Sequence, residues 1–286
     1  MGQTILKSSL QAQKNLSQIR TVIAVAAGKG GVGKSSVAVN IALTLQKSGY
    51  QVGVLDADMY GPSLGVMMPL EEPIRADLES EDHLIPGVFK GIKAISLAYL
   101  RPSNQVMAVR APVVNGLIAQ CVEKVIWGEL DYLIVDFPPG TGDIQLTLMQ
   151  IIPFSGAVLV TTPQEVAIVD VQKAAHMFQQ MGVPVVGVLE NMSYFEDPIT
   201  GDKHLLFGEG GGRKIEETFG IPLLGQVPID PEVSRCSDLG IELTQGSLAA
   251  QKFQEITKEL QGIFFNLESQ ELEGLGSFEI VWKEMS

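Results

Sequence analysis

Cysteine is nearly missing from this 286-residue sequence: it has two, Cys121 and Cys236, far apart. A secreted disulfide scaffold would use more, at closer spacing, so a reducing cytoplasm is the expected compartment. Apolar runs of membrane-spanning length are missing too, since nothing approaches the roughly 18 consecutive apolar residues such a helix needs. The opening MGQTILKSSLQAQKNLSQIR has no apolar stretch of the signal-peptide kind. Basic charge is scarce, with 20 Lys+Arg against 33 Asp+Glu and a formal charge of −13. So acidic a surface repels phosphate backbones and anionic lipid, and neither nucleic acid nor membrane is an expected partner. The tail NLESQELEGLGSFEIVWKEMS is acidic and broken by glycine, a poor match to a basic amphipathic membrane anchor.

Apolar residues make up 45% of the chain, enough for a sizeable core. The runs VIAVAA, YLIVDF and GAVLVTT have the pattern of strands buried on both faces. Strands alternate with helical patterns from Thr21 onward, which predicts an α/β fold: a doubly wound, mostly parallel sheet with helices on both faces. No repeat or compositional break divides the chain. The expected organisation is a leader helix over 1–20, one domain over 21–266, and a tail over 267–286 with an edge strand in FEIVWKE. Residues 66–90, acidic and with three prolines, read as an irregular excursion outside the core. A last long helix is expected over 248–264.

The strongest local signal is Gly28-Lys29-Gly30-Gly31-Val32-Gly33-Lys34-Ser35. It satisfies G-x-x-x-x-G-K-[ST] between an apolar strand and a helix, the setting of a phosphate-binding P-loop. Glycines let the backbone curl so that successive N–H groups face an oxyanion, and the helix N-terminus adds positive potential there. Lys34 is expected on the β- and γ-phosphates and Ser35 on Mg²⁺, with Ser36 completing the loop. Lys29 is a second lysine in the loop. It is read either as a solvated side chain or as a cation for a partner's phosphates.

Asp56 and Asp58, in LDADMYGPS, and Asp136, in LIVDFPPGTGD, follow strands at the edge where open α/β sheets bind ligands. Asp136 suits an acceptor for Mg²⁺, Asp58 the orientation of an attacking water, and Asp56 a partner behind the metal. Gly140 and Gly142 would let their loop approach the γ-phosphate. Asn191, in GVLENMSYF, could use its amide on adenine or simply make a turn.

Together these strings resemble one family. GKGGVGKS with Lys29 is similar to the deviant Walker A of the ParA, MinD, nitrogenase iron-protein and ArsA group. DADMYGPS, WGELDYLIVDFPPGTGD, TTPQEVAIVDVQKAAHMF, ENMSYF with FGEGGG, and VPIDPEVSRCSDLG resemble its Mrp/ApbC branch, over residues 28 to about 240. The resemblance implies a homodimeric ATPase that carries iron–sulfur clusters, [4Fe–4S] by expectation, to apo iron–sulfur proteins or assembly factors. It also implies that Lys29 crosses to the partner's ATP, Asp58 positions water, Asp136 supports Mg²⁺ and Asn191 touches adenine. One departure stands out. Where many members carry Cys-x-x-Cys after ENMS, this chain has FEDPITGDKH, with Asp197 and Thr200 at the cysteine positions. Neither supplies the thiolate that iron–sulfur clusters favour. An alternative therefore stands beside the carrier: a nucleotide-switched scaffold with no cluster of its own.

Overall fold

The structure, a computed structural model, describes residues 15–58, 63–77, 83–96, 116, 118–119 and 122–272. Its elements, in chain order, begin with β1 (Ile19–Ala26), α1 (Lys34–Lys47), β2 (Val52–Asp56), α2 (Leu64–Met67), β3 (Arg75–Ala76), β4 (Leu84–Ile85), β5 (Gly87–Phe89) and β6 (Ile92–Ser96). The middle of the chain supplies β7 (Leu130–Asp136), α3 (Asp143–Ile151), β8 (Gly156–Thr161), α4 (Glu165–Gln180) and β9 (Val185–Glu190). The last part supplies β10 (Phe195–Glu196), β11 (Lys203–His204), α5 (Gly211–Phe219), β12 (Leu223–Gln226), α6 (Pro231–Leu239) and α7 (Leu248–Leu272).

The main sheet has eight strands in the order β12-β9-β8-β1-β7-β2-β6-β5, all parallel except β5, which runs antiparallel to β6. Every residue of β2, β8 and β9 is buried, as their unbroken apolar runs require when helices cover both faces. Alternation along β1 splits the core. Val22, Ala24 and Ala26 join Phe137, Phe178 and Ile215 beneath α3, α4 and α5, while Ile23 and Val25 join Ile41, Cys236 and Phe253 beneath α1, α6 and α7. Strand register then sets the site: Val25 and Asp56 both pair with Asp136, and Thr161 pairs with Glu190. The residues that follow these strands all emerge at one edge of the sheet.

Several boundaries differ from the sequence expectation. The 66–90 excursion is not wholly irregular: β5 joins the main sheet as its antiparallel edge, and Met68 and Phe89 are buried. The expected leader overlaps β1, which already contains Ile19 and Arg20. The last helix does not stop at Phe264 but runs to Leu272, taking the first residues of the expected tail; Glu268 on its final turns pairs with Arg20. The rest of the leader (1–14), Cys121 and the FEIVWKE strand lie outside the described residues.

Candidate active site

The loop after β1 is shaped by two glycine constraints. Gly33 is the N-cap of α1 at φ 78°, in the left-handed region, and no side chain caps that helix. The first-turn N–H groups and the positive end of the helix are thus presented to the loop's mouth. At Gly28 the constraint is steric, because a Cβ there would lie 2.1 Å from the backbone oxygen of Asp170 on α4.

Charge is concentrated inside this mouth. Lys34 is buried, and its Nζ pairs with Oδ1 of the buried Asp136 and lies 3.5 Å from Ser35 Oγ. Burial pushes the Asp136 carboxyl up, against the opposing pull of Lys34 and of the Ser35 hydroxyl. Asp56, the cross-strand neighbour of Asp136, is pushed up to about 6, first by burial and then by the Asp136 charge. Both its oxygens accept hydrogen bonds, Oδ1 from the Asp58 N–H and Oδ2 from Ser96 Oγ, each at 2.9 Å. Asp56 thereby fixes the start of the loop that carries Asp58. The sequence-derived residues Gly28 to Ser36, Asp56, Asp58 and Asp136 thus converge on one end of the sheet. A hydroxyl and carboxylates form a hard oxygen donor set, which suits Mg²⁺.

Lys29 donates from Nζ to Gln164 Oε1 at 3.1 Å, and the same oxygen accepts from Thr162 Oγ1 at 2.8 Å. Gln164 is the N-cap of α4 but makes no capping bond with its side chain, which it gives to Lys29 instead. Asn191 donates from Nδ2 to the P-loop carbonyl of Val32 at 2.9 Å, so its amide braces the loop. A Cβ on Gly33 would lie only 2.3 Å from that nitrogen. Ser36 Oγ lies 3.4 Å from Ser237 Oγ on α6.

Sequence reasoning did not single out Gln164, Ser96 or Gln145. The last of these holds the FPPGTGD turn, donating to the carbonyls of Pro138 and Pro139 at 3.1 and 2.9 Å and accepting from the Gly142 N–H at 2.9 Å. The spacing of Gln145 three residues after the N-cap Gly142 was the available signal for it. Ser96 and Gln164 carry no local signal.

The turn with Asp197 and Thr200 joins β10 to β11. Asp197 Oδ1 accepts from the N–H groups of Ile199 (2.7 Å) and Thr200 (3.1 Å), which hold its carboxyl below the usual range. Thr200 Oγ1 accepts from Asp202 N–H at 3.2 Å. Cys236 is buried on α6 with Sγ 3.3 Å from the Glu242 carbonyl, and burial pushes its thiol up. Among the described residues no cluster of three His, Cys, Asp or Glu side chains is arranged to hold a metal.

A family profile for the NUBPL iron-transfer P-loop NTPase matches residues 18–261, which span β1 to α7 and the whole site. The chain belongs to this NUBPL-type family of P-loop NTPases. It is 43% identical over 267 residues to an iron-sulfur cluster carrier protein of Synechocystis sp., covering 91% of this chain and 76% of that protein. It is 46% identical over 253 residues to one from Deinococcus radiodurans, covering 87% and 71%. Among solved structures, a nucleotide-binding protein of Archaeoglobus fulgidus in complex with ADP superposes with a TM-score of 0.73 at 37% identity, over 86% of this chain and 96% of that one. The cell division ATPase MinD of Pyrococcus furiosus shares the fold, with a TM-score of 0.61 at 20% identity. Among the described residues no helix of this NUBPL-type NTPase is long and apolar enough to cross a membrane.

Proposed function

We propose that this chain is an ATP-hydrolysing homodimer that carries iron–sulfur clusters to apoproteins. One observation carries the nucleotide half: the buried Lys34–Asp136 pair at the mouth of an uncapped α1. Lys34 can exchange Asp136 for a phosphate oxygen, which frees the carboxylate beside the Ser35 hydroxyl for Mg²⁺. In this reading Ser35 and Asp136 hold the ion, with Asp56 behind them, and bound Mg²⁺ neutralises phosphate charge. Asp58, fixed by Asp56, orients the attacking water, Asn191 reads adenine, and Lys29 leaves Gln164 for the partner's nucleotide. The sheet and its helices act as one domain, in the cytoplasm. The cluster is cargo, and its carriage is supported by family membership and the carrier relatives.

Two measurements test this. Calorimetry with ATP and Mg²⁺ should show saturable binding, and its absence would remove the whole proposal. Anaerobic reconstitution should give coloured protein that activates an apo iron–sulfur enzyme. A colourless preparation that transfers nothing would remove the cargo and leave the ATPase.

A second reading, a nucleotide-switched scaffold without cluster, is favoured by the turn of Asp197 and Thr200, whose polar groups bond within the turn and bring no thiolate. It requires partners that distinguish nucleotide states. Pull-downs that recover the same proteins with ATP, with ADP and without nucleotide would reject it.

A further inference from the structure

Glu190 ends β9, fully buried, directly before Asn191. Its carboxyl accepts three hydrogen bonds from three parts of the chain. Oε1 takes the Ser193 hydroxyl and, at 2.7 Å, Gln226 Nε2 on β12; Oε2 takes the N–H of Gly212 in the first turn of α5. The fit at Gly212 is close, since a Cβ there would lie 3.2 Å from Oε2 and 2.6 Å from Leu223 Cδ1. A carboxyl this deep is tolerated only because donors surround it.

Between Glu190 and Ser193 the chain is bent sharply. Met192 has φ 54°, one of two positive-φ residues other than glycine among the described residues. Such a backbone costs on the order of 1–2 kcal/mol and persists where neighbours enforce it. Here the enforcement comes from Ser193, whose N–H bonds the Val227 carbonyl at 2.9 Å and whose hydroxyl bonds Glu190, and from the Glu190 carbonyl, which accepts from Val227 N–H at 2.9 Å. The bend holds Asn191 with its N–H on the Thr161 carbonyl and its Nδ2 on Val32. With Nδ2 committed to Val32, the amide oxygen Oδ1 is the group left to serve as an acceptor. An acceptor there favours the 6-amino group of adenine and opposes the 6-carbonyl of hypoxanthine or guanine.

We propose that Glu190 is a positioning residue for base selection, clamping the Glu190–Ser193 bend so that the Asn191 amide keeps one orientation against the P-loop. This rests on the reading of Asn191 as the adenine contact. A general structural role would lower affinity for every nucleotide alike, whereas a positioning role changes the preference for one base over another.

The test is calorimetric titration of the full chain with Mg²⁺-ATP and Mg²⁺-ITP, for wild type, Glu190→Gln, Ser193→Ala, Asn191→Ala and the Glu190→Gln/Asn191→Ala double variant. Gln keeps the shape but replaces one of the two accepting oxygens with an NH₂, so that donor faces donor on one side of the group. Glu190→Gln should cut the ATP-over-ITP preference by about tenfold, to the level of Asn191→Ala, in line with loss of one hydrogen bond between the Asn191 amide and the base. The double variant should be no less selective than Asn191→Ala alone. Unchanged preference in Glu190→Gln, or equal losses for both nucleotides, would overturn the proposal. If Glu190→Gln does not fold, Ser193→Ala removes one of the three bonds and should show the same selective loss in smaller measure. A folded Ser193→Ala with full preference would also overturn it. Wild type that binds neither nucleotide sinks the nucleotide-binding reading itself, and wild type that binds both equally sinks base reading by Asn191 together with this inference.

Discussion

At the scale of single residues, the two P-loop lysines are chemically alike and differently placed. Lys34 is buried against Asp136, while Lys29 reaches Gln164. Lys34→Ala should abolish measurable ATP binding, and it also leaves Asp136 buried without its partner, at a cost of roughly 3–5 kcal/mol. Urea denaturation checks this: Lys34→Ala/Asp136→Asn should recover much of the lost stability without recovering binding. Lys29→Ala should spare ATP affinity and lower turnover, read by calorimetry beside phosphate release; equal loss of affinity in both lysine variants would refute a role for Lys29 across a dimer. The P-loop and the three aspartates were legible because a curled run of glycines and carboxylates after apolar strands is written in contiguous residues. The acceptor of Lys29 was not, because Gln164 lies 135 residues away and meets it only through the parallel order of β1 and β8. Ser96 on Asp56 is hidden for the same reason, on the neighbouring strand β6.

At the scale of elements, the loop after β1 has its glycines for different reasons, and substitution separates them. Gly28→Ala would press a methyl onto the Asp170 carbonyl of α4, so the loop must move; a loss of about 1–3 kcal/mol and weakened ATP binding are expected. Gly30→Ala meets no atom within 4 Å, so folding stability should be kept. Parallel urea titrations decide the contrast, and equal losses would mean that the packing of α4 on the loop is wrong. α6 supports a second prediction. Its Cys236 is buried with its thiol pushed up, so it should react with iodoacetamide in the native state far more slowly than in urea. Long apolar strands and their helices were legible from periodicity alone. β5 was not, because three residues among acidic and proline-rich neighbours carry too little pattern. α7 was cut short because the residues after Phe264 are largely polar. They are also good helix formers, and Arg20 holds Glu268 near the end.

At the scale of the whole molecule, the proposed dimer must form between two chains that each carry a formal charge of −13, with ATP adding more negative charge. Long-range repulsion therefore opposes the encounter, and the closed state relies on short-range contacts such as Lys29 with the partner's phosphates. Salt acts unequally on these. Screening at about 0.15 M reaches charges more than ~8 Å apart and exposed to solvent, while a contact buried between subunits is screened far less. Raising NaCl from about 50 to about 200 mM should thus strengthen ATP-dependent self-association. Sedimentation velocity with a non-hydrolysable ATP analogue and Mg²⁺ reads it directly. Lys29→Ala should weaken association at both salt concentrations, because it removes the short-range attraction and leaves the repulsion. If added salt instead dissociates the wild-type dimer, exposed ion pairs hold the subunits together, and the balance argued from net charge is wrong.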